Sequence, residues 1–185
     1  MRKLILAVWL VLALAGCGGP RLSNAITSTD GSLTANYPNT WVARAGEGTL
    51  YMASSQAVLD NPRSVPSGEF VMAVGVIPDS MVAEISQSTG MMMNTPQVIL
   101  NVLGTRISGI DLDFTSVLGN VTTLTLADHP AARAGMTFTS EIGPGEGQII
   151  VRDEGNDVYI AIIGDHRREM SRNEATFIAV ALCGV

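Results

Sequence analysis

The alternation of apolar and polar positions sorts this chain into strands of two kinds and a few helices. Residues 69–77 place Phe70, Met72, Val74 and Val76 on one side and Val71, Ala73 and Ile77 on the other. A strand apolar on both sides is covered above and below, so a central strand is predicted. Residues 158–163 read the same way, with Val158, Ile160 and Ile162 opposed to Tyr159, Ala161 and Ile163. By contrast 111–115 and 123–126 alternate, with Leu112, Phe114, Leu124 and Leu126 against Asp111, Asp113, Thr123 and Thr125, the pattern of half-exposed strands. Segments 25–29 and 32–36 flank Asp30-Gly31, a strong hairpin signal. Tyr37 to Trp41 predicts a turn into a strand at 41–45, and Gly46-Glu47-Gly48 separates that from another at 49–53.

Helices supply the covers. Ser54 or Ser55 can cap a short one ending near Asp60, followed by loop composition over 61–68. Thr95 precedes Pro96 at a first helical position, and Val98, Ile99, Val102, Leu103 and Ile107 form one stripe, with Gly109 as the stop. Ser171 with Glu174 three residues on reads as a capping box, opening a last helix through Phe177, Ile178, Ala181 and Leu182. Short links at Gly119-Asn120, Asp128-His129-Pro130, Ile142 to Gly147 and Glu154-Gly155-Asn156 predict an antiparallel meander over 111–164. Gly143, Gly145 and Gly147 are thereby assigned to a turn. The fold class expected is α+β: a mainly antiparallel sheet of five to seven strands with helices on both faces, an α/β/α sandwich.

The N-terminus follows another logic. Arg2 and Lys3 precede an apolar run from Leu4 to Ala15, shorter than the roughly 20 residues a spanning helix needs. The run ends Leu14-Ala15-Gly16-Cys17, which resembles the lipobox of lipoprotein signal peptides. In that family a diacylglycerol is attached to the cysteine, here Cys17, and the peptide is cut between Gly16 and Cys17. The small Ala15 and Gly16 suit a narrow protease cleft, while Leu14 fills an apolar pocket. The expected organisation is a signal peptide over 1–16, the lipidated Cys17 with a short tether over 17–25, and one globular domain over 26–185. The expected place is the extracytoplasmic face of a cell membrane, the outer membrane where the envelope has one.

Loss of Arg2 and Lys3 takes the 11 basic residues to nine against 17 acidic ones, a mature net charge near −8. Such a surface argues against nucleic acid and against electrostatic docking on anionic lipid. Attachment then depends on acyl chains, at about 0.8 kcal/mol per buried CH₂. With Cys17 lipidated, Cys183 is a lone thiol and forms no internal disulfide. Cys183 falls opposite the apolar stripe of the last helix, so a partly accessible thiol is expected.

Tyr37-Pro38-x-x-Trp41 after a hairpin, Ala53-Ser54-Ser55 opening a helix, the strand-bounded His129-Pro130-Ala131-Ala132-Arg133 and the closing amphipathic helix together resemble PsbP-like domains. The resemblance spans about residues 25–183. It implies the α/β/α sandwich that PsbP-like domains share with Mog-type Ran-binding proteins and mycobacterial LpqN-type lipoproteins. It implies fold rather than function, because members assist photosystems, bind a GTPase or have no known role. No metal-binding or photosystem-contacting position of the family has a residue-by-residue match here. Tyr37, Pro38 and Trp41 read as structural, with Trp41 buried.

Catalytic chemistry finds little support. His129 stands before Pro130 and His166 beside Asp165, but a histidine next to an acid in sequence is not a triad. His129 reads as a turn residue and His166 as a surface one. Asp111 with Asp113 lacks further ligands, and Asp153, Glu154 and Asp157 lack calcium-loop spacing. No metal or cofactor is expected, and no enzyme. Met91-Met92-Met93 is less ordinary. Three adjacent thioethers diverge and do not converge on a copper ion. They are either gap-filling core or an adaptable apolar contact surface for a membrane-associated protein. The function expected is a membrane-anchored, non-enzymatic binding or assembly module whose partners are membrane lipid, through acylated Cys17, and a protein. The alternative is a carrier of a small apolar or lipid ligand between sheet and helix.

Overall fold

The computed structural model describes residues 21–62, 64–104, 115–140, 143–155, 157–166 and 170–183. At its centre lie β5 (Phe70–Pro78) and β10 (Asp157–His166), paired antiparallel with Val158 opposite Ile77 and Asp165 opposite Phe70. Phe70 to Val74 and Val158 to Asp165 are buried at every position, as two-sided covering requires. On one side follow β4 (Thr49–Ala53) and β3 (Val42–Ala45), and on the other β9 (Gly143–Asp153) and β8 (His129–Ser140). Beyond β8, β6 (Thr115–Leu118) pairs with its last third and β7 (Thr122–Leu126) with its first half. The sheet order is β3-β4-β5-β10-β9-β8-β6, with β7 added on β8, and every pairing is antiparallel.

The meander therefore holds from β7 to β10 but not before it. β6 does not pair with β7; both extend along the same edge of β8 in one direction. The tight turn between β7 and β8 is Ala127-Asp128, both with positive φ, in the two-residue loop that strand twist favours. His129 and Pro130, expected in that turn, are the first residues of β8. Gly143, Gly145 and Gly147 lie within β9 and not in a turn. At Gly145 and Gly147 the small size has a cross-strand cause. Gly145 faces Phe138 of β8, and a Cβ at Gly145 would sit 2.2 Å from the Phe138 ring. The ring covers Gly145 and leans toward Gly164 on β10.

A separate hairpin, β1 (Asn24–Thr27) with β2 (Thr34–Tyr37), turns through Asp30-Gly31 as expected. It covers one face of the sheet together with α4 (Met170–Cys183). That core contains Leu33, Trp41, Leu50, Phe70, Tyr159, Phe177 and Val180. Trp41 is 9% exposed, and its ring centroid lies 4.5 Å from that of Phe70. The opposite face is covered by α2 (Asp79–Thr89) and α3 (Pro96–Gly104), over Ala132, Met136, Phe138, Ile149, Val158 and Ile160. Thr95 Oγ1 accepts from the Val98 N–H, and Ile99, Leu100 and Val102 are buried. Ile107 and Gly109 lie outside the described residues.

The short α1 (Gln56–Asp60) follows Ser55, whose side chain makes no capping bond. Ser54 instead joins strand ends: its hydroxyl donates to Glu69 and accepts from the Phe70 N–H at 3.0 Å. Glu174, expected to close a capping box, reaches the sheet. Its Oε1 accepts from Arg133 and from Gln148, each at 3.1 Å.

Candidate functional site

The connection between α2 and α3 is held by a left-handed glycine and by two hydroxyls of α2. Gly90 takes φ +68 and ends α2 in the left-handed conformation that glycine favours. The Thr89 hydroxyl donates to the Ile85 carbonyl at 2.8 Å and accepts from the Met91 N–H at 3.3 Å. Two residues later the Met93 N–H donates to Ser86 Oγ. That bond turns Met93 inward, to 7% exposure among Val82, Ile99 and Ile160. Met91 and Met92 point outward, at 48% and 78% exposed. The three methionines are therefore divided: two are displayed on a loop whose anchor is the third.

A second constellation was not legible in sequence. Arg152 occupies the helix-covered face of β9 and is 1% exposed. Its Nε donates to Glu154, its guanidinium lies 4.8 Å from the Tyr159 ring centroid, and one terminal nitrogen donates to the Ala181 carbonyl at 3.2 Å. The positive charge meets the C-terminal turn of α4, where the helix dipole is negative. His129 completes the chain: Nδ1 lies 3.1 Å from the Asp153 carbonyl and Nε2 3.7 Å from Glu154. These bonds tie the end of α4 to the sheet. The pairing of His129 with Glu154 has the elements of a base and its orienting acid, but neither residue lines the two clefts described next. The side chain of His166 lies outside the described residues.

One cleft, of about 430 Å³, runs beside β6, β8 and β9 past Asn120, Thr137, Glu146 and Gln148. The other, of about 560 Å³, lies between the start of α3 and β7, past Gln97, Thr123, Thr125 and Asp128. Both open to solvent and mix polar with apolar lining. Neither is the enclosed apolar chamber that a carrier of a small apolar ligand needs. Among the described residues, no group of three His, Cys, Asp or Glu could hold a metal ion, and no helix is long and apolar enough to cross a membrane. At the β9–β10 turn Asp153 Oδ1 accepts from the Gly155 N–H, so this carboxylate is engaged in the turn. Leu14, Ala15, Gly16, Cys17, Asp111 and Asp113 lie outside the described residues, as does the side chain of Cys183.

No family model matches the chain, and no curated protein matches it. Solved structures do. Cyanobacterial PsbP from Synechocystis sp. PCC 6803 superposes with a TM-score of 0.57 at 13% identity, over 94% of this chain and 98% of that one. The fold is PsbP-like. A protein from Bacteroides thetaiotaomicron VPI-5482 gives a TM-score of 0.53 at 9% identity, over 89% of this chain; the chain spans about half that protein, 48% of its length. LpqN of Mycobacterium tuberculosis, described as involved in cell envelope biogenesis, is also similar, with a TM-score of 0.42 at 12% identity over 91% of this chain and 83% of that one. This last likeness is too distant to carry weight. At such identities the first two establish the PsbP-like architecture and nothing of activity.

Proposed function

We propose that this chain is a lipid-anchored, non-catalytic binding or assembly module held on the extracytoplasmic face of a membrane. Leu14-Ala15-Gly16-Cys17 supports the anchor, through a diacylglycerol on Cys17. One observation carries the binding role. Met91 and Met92 stand in solvent on a loop whose backbone is pinned by Thr89, Ser86 and the buried Met93. Unbranched thioethers adapt to an apolar counter-surface at low cost in shape, and they are used that way on promiscuous binding surfaces. A held loop loses less freedom on contact than a floppy one. The partner is a membrane-associated protein with an apolar patch within reach of the anchored domain.

A photo-reactive amino acid at position 92 tests the reading on intact membranes. A discrete adduct is expected there, lost when Met91 is also replaced by serine. A probe at Gln97, also exposed, on α3, should give none. Equal labelling from both positions would contradict a dedicated contact at the methionines.

A further inference from the structure

The strands give the domain two poles. One pole gathers the starts of β3, β5 and β9 with the ends of β4, β8 and β10; the other gathers the turns that link β3 to β4, β7 to β8 and β9 to β10. The β1–β2 hairpin follows the same axis. Its Asp30-Gly31 turn lies at the second pole, where the Thr29 N–H donates to the Gly46 carbonyl. Its open end lies at the first, where Tyr37 leads through Pro38 into Trp41 against Phe70. The Ser23 N–H donates to the Tyr37 carbonyl, and Leu22 packs on the adjoining core. The chain therefore enters the domain at the first pole, at Arg21.

The poles differ in charge. Asp30, Glu47, Asp79, Asp128, Asp153, Glu154 and Asp157 all belong to the second pole, and all but Asp153 and Glu154 are exposed. The nearest described arginines are Arg152, buried and bonded to Glu154, and Arg44, stacked over Tyr51 on β3. At the first pole Glu69 is bonded to Ser54, exposed Asp60 accepts from Gln56, Glu146 is half-buried opposite the buried Asp165, and Arg21 is exposed, so this pole carries fewer exposed carboxylates than the second.

We infer that the first pole faces the bilayer and the acidic pole faces away from it. This rests on the proposed lipidation of Cys17. Four Cα-to-Cα steps lead from Cys17 to Arg21, and even fully extended they span at most about 14 Å. Nine residues of β5 set the poles about 30 Å apart. A tether of that length cannot bring the far pole to the membrane while residue 21 sits at the near one. Lying flat would place the carboxylates within roughly one Debye length, about 8 Å, of anionic headgroups, where like charges repel. The upright arrangement satisfies both constraints, and whatever approaches from outside meets the acidic pole first.

Full-length protein extracted from membranes, with Cys183→Ser as background, is returned to anionic vesicles whose headgroups carry a nitroxide quencher. A fluorophore is attached at Asn39→Cys or Thr40→Cys on the first pole, or at Glu47→Cys or Asp157→Cys on the second; all four positions are exposed. Intact mass first establishes whether Cys17 is acylated. In the acylated protein, labels at 39 and 40 should lose most of their emission and labels at 47 and 157 should keep theirs. Equal or reversed quenching in acylated protein would overturn the orientation alone. A mature chain without acyl mass would overturn the anchor, and the orientation with it.

Discussion

A methyl group added at Gly145 should destabilise this protein well beyond an ordinary surface change. The new Cβ would meet the Phe138 ring at 2.2 Å and the Asp165 carbonyl oxygen at 2.8 Å. Carbon atoms pack best at about 3.5–4.0 Å, so the overlap with the ring exceeds an ångström. Phe138 is 4% exposed, so β9 or the buried ring must shift. Overpacking of this kind costs about 1–3 kcal/mol and occasionally more. Gly135 on β8 is the internal control. A Cβ there meets nothing within 4 Å, so Gly135→Ala should be neutral or stabilise by about 0.4–1 kcal/mol, through lost freedom of the unfolded chain. Urea unfolding of Gly145→Ala, Gly135→Ala and Phe138→Ala, with the double variant Gly145→Ala/Phe138→Ala, measures each term. Removing the ring should shrink the Gly145→Ala penalty, a coupling of about 0.5–3 kcal/mol, leaving the part due to the Asp165 carbonyl. Equal midpoints for Gly145→Ala and Gly135→Ala would refute the cross-strand explanation of the glycine-rich β9.

Trp41→Ala empties a site buried against Phe70 and should cost about 3–5 kcal/mol; a denaturation midpoint within error of wild type would contradict that burial. Met91→Ser/Met92→Ser should stay within about 0.5 kcal/mol of wild type, whereas Met93→Ser should lose roughly 2–5 kcal/mol, both read from thermal melts. Asp30 accepts from the Ser28 and Ser32 hydroxyls and from the Gly48 backbone, which hold its carboxyl far below the usual carboxylate range. The unfolded chain therefore binds this proton more readily, so the Asp30 contribution is present above about pH 4 and is lost as pH falls further toward the folded value. Asp30→Asn should flatten the acid limb of stability against pH, and unchanged acid limbs in urea titrations would speak against it.

What was legible in sequence was what neighbours in the chain decide. β5 and β10 announce themselves by apolar residues on both faces, and Asp30-Gly31 by turn chemistry that needs no distant partner. Thr95-Pro96 likewise marks a helix start on local grounds. The failures share the opposite cause. The glycines of β9 look like a turn until Phe138 from β8 is laid across Gly145 and the Ile163 carbonyl of β10 is brought against Gly147. Ser171 and Glu174 have capping-box spacing, yet Arg133 and Gln148 draw Glu174 to the sheet. Arg152 in an apolar run gave no sign that the last carbonyls of α4 and the Tyr159 ring would receive it. Met91, Met92 and Met93 are alike in sequence; the Ser86 hydroxyl, seven residues back, anchors the one that turns inward.

The lipid anchor is tested most directly by the intact mass of the chain extracted from the membrane fraction, wild type beside Cys17→Ser. Wild type should begin at Cys17 and carry acyl mass, and Cys17→Ser should leave the membrane or remain unprocessed. A wild-type chain that begins at Cys17 without acyl mass, or that retains residues 1–16, would contradict an anchored module.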